Sequence, residues 1–352
     1  MNDRGLLVLE LSGSSYERGY EYGARCRSRI ARMIEEEFYK EFSGRLSKEQ
    51  LIKYAKKYVP FIEDYSPELA EELRGVADGS GFLYEEIVMI NALEEREGFV
   101  RNCTAFAATG CSTENGETYH GQNWDGLEWE WFDGEVSLLF KIKRKDGPDI
   151  LNYTNPGILT CAGLNSNGVG ISWTSVPRLE LRIGVPTYII VAEVLRQKTI
   201  GDALNAVLRA ERAGCFHFII TDKTEIYSIE ATPNDIDIVY SDECVAHANH
   251  YISDKFYAKQ NISQLKTDTF IRYNRMKRLL RENFGRINLE ACFSFLRDHV
   301  NYPYSICKHP DEKVADKFRG LTLDSWVAVP SKGEFWLAHG SPCKNNFIKY
   351  TF

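Results

Sequence analysis

The sequence predicts an α+β fold in which two antiparallel sheets are covered by helical layers. The first hundred residues carry apolar positions at helical spacing. Past Cys103 the chain breaks into short runs of aromatic and branched residues separated by Asn-Gly and Asp-Gly pairs. Strand clusters joined by such tight turns favour antiparallel pairing over a doubly wound parallel sheet.

Taken in order, "SSYERGYEYGARCRSRIARMIEEEF" places Ile30, Met33, Ile34 and Phe38 on one helical face. Ser47 with Gln50 predicts a capping box before "LIKYAKKY", in which each side chain satisfies an amide the first turn leaves open. Ser66-Pro67 marks another helix start, with Leu69, Leu73 and Val76 facing inward, and "YEEIVMINALEER" reads as a further helix. Then come the strands "TAFAAT", "ETYHGQNW", "VSLLFKIKR" and "GVGISWTSV", with turns at Asn115-Gly116, Asp146-Gly147 and Asn167-Gly168. Helices return in "TYIIVAEVLRQ" and "GDALNAVLRAERAG". They are followed by strands "CFHFIITD", "EIYSIEAT" and "DIDIVYS", and by helices over "DTFIRYNRMKRLLRENFG" and "NLEACFSFLRDHV". "SWVAVPSKGEFWLAHG" reads as a closing hairpin. Cys103 stands where the helical part gives way to the first predicted strand.

The 352 residues can bury a large core, as about two domains or one large one. A hydrophobic content of 43% with 26% charged residues is ordinary for a globular chain. The net charge of -7 is mild, with no long single-sign block and with basic clusters such as "RIARM" and "RMKRLLR" mixed with acids or on helical patterns, which argues against a nucleic-acid partner. No run approaches the roughly 18 apolar residues a membrane helix needs. Glu10 interrupts the apolar start and no small-residue cleavage site follows, so no secretory leader and a cytoplasmic home are expected. Nine cysteines, an odd number scattered from Cys26 to Cys343, suit a reducing compartment. With no C-x-x-C pair, structural zinc is not expected, and no metal or cofactor is assigned.

The chemistry-bearing motifs narrow the function by subtraction. A G-x-S-x-G elbow, an H-E-x-x-H pair and a phosphate-cradling loop are all missing. "AGLNSNGVG" is glycine-rich but lies between strands, and reads as a hairpin. His247 and His250 in "HANH" lack an acidic partner at ligand spacing, so they make a weak metal pair. Cys103, within "GFVRNCTAFAATGC", has no histidine nearby. Taken alone it reads as a small buried residue. Cleavage of the Asn102–Cys103 bond would change that. The new α-amino group, with a pKa near 7.7–8, would serve as base for the thiol of the same residue, giving nucleophile and base together.

The chain resembles the acyl-coenzyme A:isopenicillin N (6-aminopenicillanic acid) acyltransferase family, an autoprocessing cysteine peptidase-like group within the N-terminal nucleophile hydrolases. The resemblance runs over nearly the whole length, through "GSSYERGYEYG", "EIVMINALEE", "NCTAF", "GQNWD", "GLNSNGVG", "HANH", "FIRYNRM", "NYPYSIC" and "RGLT" in that order. It implies a four-layer αββα sandwich and self-cleavage between Asn102 and Cys103. A mainly helical segment 1–102 and a catalytic segment 103–352 would then persist as a heterodimer within one structural domain. Cys103 matches the family's nucleophile and Asn249 the asparagine that helps hold the oxyanion. Asp125 matches an acid beside the nucleophile that orients the new amino group, and Arg319 an active-site arginine. Without the resemblance, Asn249 would read as a turn residue, Asp125 as a hairpin acid and Arg319 as an exposed loop arginine. Arg272 and Arg275 also match family positions, but their i, i+3 spacing favours structural pairing with acids.

The implied activity is amide-bond chemistry through a thioester on Cys103. The partners are small molecules, either an N-acyl amide or an acyl donor, acyl-CoA among them, with an amine acceptor. Water reaching the thioester gives a hydrolase, and an amine reaching it gives an acyltransferase. The aromatic run "NWDGLEWEWF" suggests an acyl pocket, a core or a lid. Alternatives are a β-alanyl-amine, bile-salt or N-acylethanolamine amidase, and an unprocessed scaffold of the same fold. Three features depart from the family: Asn102 stands where the fungal enzyme has glycine, Lys308 stands where it has arginine, and "IKYTF" lacks a peroxisomal tripeptide.

Overall fold

A computed structural model describes residues 6–40, 45–95, 102–128, 130, 134–239 and 243–352, without the side chains of residues 36–38 and 264. The helices begin where local chemistry dictates. Ser47 and Gln50 close the reciprocal cap of the helix Lys48–Ala55, and Ser14 with Glu17 does the same for Ser15–Arg25. Ser66 precedes the helix Pro67–Ser80, but its hydroxyl donates to Glu193 (2.9 Å) instead of capping. After Arg27–Arg32 the helix widens into a π-helix, Met33–Tyr39, with Ile30, Met33 and Ile34 buried; the Phe38 side chain lies outside the described set. The helix Tyr84–Asn91 stops short of its predicted end and passes into a 3₁₀ turn, Leu93–Glu95.

The helices Ser15–Arg25 and Pro67–Ser80 meet backbone to backbone. A Cβ on Gly19 would run into the Glu72 carbonyl, and one on Gly75 into that of Tyr16. Only glycine allows that approach.

Two sheets form the centre. One has eight strands in the order β1-β4-β5-β6-β7-β8-β9-β10: Leu7–Leu11, Leu138–Ile142, Ile150–Thr154, Ala162–Asn165, Gly170–Ser175, Phe216–Thr221, Ile226–Ala231 and Ile236–Val239. The other has six, β11-β2-β3-β12-β13-β14: Cys244–His247, Asn102–Gly110, Gly116–Leu127, Gly320–Val329, Glu334–His339 and Ile348–Thr351. Pairing is antiparallel, as the sequence predicts, except at one edge, where β1 runs parallel to β4 with Leu9 opposite Phe140. Neither β1 nor β11 stands out in the sequence. The "AGLNSNGVG" stretch is the β6–β7 hairpin, with Gly168 at φ +100°.

Alternation along β2 separates the layers. Ala105 and Ala107 pack toward Ile219 of the other sheet. Phe106 and Ala108 face Met276, Leu280, Phe293 and Phe295 on the helices Asp268–Glu282 and Leu289–Leu296. The eight-stranded sheet carries the N-terminal helices and the helices Thr187–Leu195 and Ile200–Arg209 in the main core. The result is the αββα sandwich. Among the described residues no helix is long and apolar enough to cross a membrane.

Candidate active site around Cys103

Cys103 is the second residue of β2, opposite Trp124 of β3, and fully buried. Its backbone is gripped from two sides. The Cys103 N–H donates to Asn249 Oδ1 (2.9 Å), and the Arg272 guanidinium donates to the Cys103 carbonyl. Arg272 also reaches Thr104 Oγ1 (2.8 Å), Asn249 Oδ1 (2.8 Å) and Asp268 Oδ2 (3.2 Å). A guanidinium has only donors, so it fixes which end of the Asn249 amide is oxygen. Asn249 Nδ2 in turn donates to Ser175 O (3.0 Å), and the Asn249 N–H to Thr269 Oγ1 (2.7 Å).

A second arm completes the cluster. Lys308 Nζ, almost wholly buried, pairs with Asp268 Oδ2 at 2.7 Å. The Lys308 backbone N–H donates to Thr322 Oγ1 (2.9 Å), whose hydroxyl donates to Asp125 Oδ1 (2.7 Å). The other Asp125 oxygen is buried with no hydrogen-bond partner among the described residues. Two cations, Arg272 and Lys308, are thus set against two carboxylates, Asp125 and Asp268.

The environment shifts each acid differently. Burial pushes the Cys103 thiol up to about 12, and the Asp125 charge adds to the rise. The Asp125 N–H, the Gln122 side chain and Arg272 act the other way. Burial lifts Asp125 to about 6 against the pull of Lys308, Arg272 and the Thr322 hydroxyl. Burial would raise Asp268 too, but Arg272 and Lys308 hold it down to about 2.

The sign of the Asp125 shift gives a test. Its folded pKa lies above its ordinary 3.8, so its contribution to stability is intact at low pH and is lost as pH rises through about 6. In a chain kept continuous, Asp125→Asn removes this penalty while still accepting the Thr322 hydrogen bond. Urea unfolding should show the variant more stable by roughly 2–3 kcal/mol at pH 8 and indistinguishable only below the ordinary 3.8, near pH 3.

Of the residues singled out in the sequence, Cys103, Asn249 and Asp125 come together and Asn102 precedes them on the strand. Arg319 does not join them. Its side chain bonds to Val314 O (2.9 Å) and Glu312 O (3.3 Å), with ion pairs to Asp316 (3.0 Å) and Glu128 (3.8 Å). The arginine of the cluster is Arg272, which the spacing argument left with a structural role. Both arginines pair with acids as that spacing suggests, Arg272 with Asp268 and Arg275 with Asp298 at 2.6 Å, but only Arg272 also reaches Cys103. Asp268 and Lys308 were also missed; the single sequence signal was Lys308 standing at a family arginine position.

The "HANH" histidines face protein partners: His247 Nε2 meets Glu230 (2.9 Å) and His250 Nδ1 meets Thr269 Oγ1 (2.9 Å). Trp124 is core, edge-on to Tyr153 and Trp173. Trp129, Trp131 and Phe132 of the suggested acyl pocket lie outside the described residues.

Comparison with known proteins adds an independent line. The acyl-coenzyme A:6-aminopenicillanic acid acyl-transferase family profile matches residues 111–344. The chain is 27% identical over 330 residues to the acyl-coenzyme A:6-aminopenicillanic-acid-acyltransferase 40 kDa form of Emericella nidulans, covering 90% of this chain and 88% of that protein. It is 24% identical over 343 residues to an uncharacterized protein of Archaeoglobus fulgidus, covering 81% of this chain but 56% of the relative. Among solved structures it resembles a variant of the conjugated bile acid hydrolase from Clostridium perfringens. There the TM-score is 0.51 at 12% identity, covering 71% of this chain and 97% of that one, a likeness of fold alone. With two thirds of its length matched by the profile, the chain belongs to the acyl-coenzyme A:6-aminopenicillanic acid acyl-transferase family, on the two-sheet fold of the N-terminal nucleophile hydrolases.

Proposed function

We propose that the chain cuts itself between Asn102 and Cys103 and then works on amide C–N bonds through a thioester on Cys103. One observation carries the reading: the Cys103 amide, in the middle of a continuous chain, is held by Asn249 Oδ1 while Arg272 holds the adjoining carbonyl. Cys103 lies past the end of β11, where a buried backbone needs partners in any case, but here side chains of a buried charged cluster supply them. That suits a residue whose N–H is to become a positioned amine.

In self-cleavage the Cys103 sulfur attacks the Asn102 carbonyl carbon and the thiol proton passes to Asp125, a buried carboxylate poised near pH 6. The C–N bond breaks as Cys103 N gains a proton, leaving a thioester of Asn102 on sulfur. Water hydrolyses it, releasing the Asn102 carboxylate and restoring the thiol. The segment 1–102 and the segment 103–352 remain associated.

The continuous chain holds a thiol near 12, which is inert at neutral pH. After cleavage the thiol proton moves to the new α-amine. The resulting ammonium–thiolate pair adds no net charge to the cluster, and Asp125 with Asn249 Oδ1 orients the ammonium. The thiolate attacks an acyl carbonyl, and the Cys103 ammonium protonates the departing amine or thiol. Water or an amine then takes the acyl group. The Asp125 N–H and Gln122 amide that face sulfur stabilise the thiolate. Asn249 Nδ2 is the side-chain donor the family assigns to the oxyanion. The fungal relative's name favours an acyl-CoA donor and an amine acceptor. The odd number and scatter of the nine cysteines favour a reducing, cytoplasmic home.

Intact-mass spectrometry tests the reading directly. Purified protein should resolve into two fragments that separate before Cys103. A panel of N-acyl amines and acyl-CoA donors, each with and without added amine, should show acyl acid or acyl amide as product. A preparation fully active on such substrates yet continuous through residues 102–103 would overturn the proposal.

A further inference from the structure

Away from the Cys103 cluster, four side chains from separate parts of the chain converge: His299, Cys307, His309 and Cys343. His299 follows the helix Leu289–Leu296, Cys307 and His309 lie in the loop beyond it, and Cys343 sits in the turn between β13 and β14. All four ligand atoms fall within 4.8 Å of one another. We propose that these residues form a structural His₂Cys₂ site for a tetrahedral divalent metal, zinc by ligand type.

Hydrogen bonding gives no account of the arrangement. His309 Nε2 has three neighbours: His299 Nε2 at 3.1 Å, Cys343 Sγ at 3.4 Å and Cys307 Sγ at 3.5 Å. A neutral imidazole nitrogen gives or takes one in-plane hydrogen bond, so three such neighbours exceed its capacity. A shared cation resolves the crowding. Zinc bonds of about 2.0–2.1 Å to nitrogen and about 2.3 Å to sulfur put tetrahedral N···N edges near 3.3 Å and N···S edges near 3.6 Å. The observed separations lie within a few tenths of an ångström of these. Binding would displace the two thiol protons, leaving a neutral M²⁺(Cys⁻)₂(His)₂ unit.

The protein fills all four positions, so the role is structural. The loop is also pinned from outside, with Cys307 N–H on Asp298 O (3.0 Å) and His309 N–H on Pro303 O (2.9 Å). Between the two loop ligands stands Lys308, whose side chain reaches Asp268 in the Cys103 cluster. The metal therefore ties the C-terminal turn to the segment that delivers a buried cation to the site. The missing C-x-x-C spacing hid this from the sequence, because only Cys307 and His309 are neighbours along the chain.

The test uses the full chain, purified in a non-thiol reductant and loaded with cobalt(II). One cobalt per chain should bind, with thiolate-to-metal charge-transfer absorption and tetrahedral d–d bands, and zinc should displace it. Cys343→Ser should lose about half of the charge-transfer intensity, and its zinc retention against a chromophoric chelator should weaken roughly a hundredfold or more. Cys343 and His299 are exposed, so His299→Gln provides a second variant with little demand on the core. Cys111→Ser, at an exposed cysteine outside the cluster, should leave the spectrum unchanged. The same spectra are expected in a Cys103→Ala chain, which separates this result from the cleavage reading. Three results would overturn the proposal: no tetrahedral cobalt spectrum with both thiols titratable, a spectrum that Cys343→Ser does not alter, or a Cys307–Cys343 disulfide in place of metal.

Discussion

Cys103→Ala should leave a single uncut chain, and its turnover of any substrate found for the native protein should fall by roughly 10⁴–10⁶-fold, the usual consequence of deleting a nucleophile. The fold should survive. Position 103 is buried on a strand that already carries Ala105 and Ala107 on the same face, and alanine retains the backbone N–H to Asn249. Intact mass reads cleavage, a substrate assay reads turnover, and circular dichroism shows whether the sandwich persists. A folded variant that still turns over substrate would refute the assignment of Cys103 as nucleophile.

Arg272→Ala should combine two losses. The side chain is wholly buried and holds the Cys103 carbonyl, Thr104, Asn249 and Asp268 at once. Its removal leaves Asp268 with Lys308 as its charge partner and the second acid, Asp125, with less compensation. Breaking one side of such a buried set costs about 3–5 kcal/mol. The acid limb of stability should move as well. Asp268, held down to about 2, contributes stability above its ordinary 3.8 that is lost as pH falls through about 2. Without Arg272 the folded value moves back toward 3.8, so that contribution should shrink and its loss be complete at a higher pH. Urea unfolding in the Cys103→Ala background isolates the stability effect, since both chains are then continuous. Intact mass in the native background should show cleavage slowed or abolished. Arg275→Ala is the control: its pair with Asp298 is partly exposed and worth about 1 kcal/mol or less, so processing should proceed.

The contrast between these arginines shows what a sequence can and cannot reveal. Local rules located the Ser47–Gln50 box, the Ser66-Pro67 start and the Asn167-Gly168 turn, because each is decided within a few residues. Alternation and turn spacing were enough to predict antiparallel sheets. Arg272 and Arg275, three apart on one helix, look alike until β2 is known to pass beneath the first and Asp298 beside the second. Arg319 matched a motif, yet its loop folds back on it. The parallel β1–β4 pair joins segments far apart in sequence, and no local signal marks β1 as an edge strand. The metal-type cluster escaped notice for the same reason, since its ligands come from three segments. Gly19 and Gly23 of "GSSYERGYEYG" were visible within a motif; their physical reason, a helix crossing at backbone contact, needed the partner helix.

That edge pair also bears on the life history of the molecule. A severed product would be two polypeptides sharing one sheet, with Leu7–Leu11 hydrogen-bonded to a strand of the other piece. Its refolding after denaturation would then become a second-order event, favoured by crowding the pieces together and hindered by dilution. The uncut precursor faces no such requirement. Folding would come first and scission second, and the finished article would have no single-chain route back to its own shape.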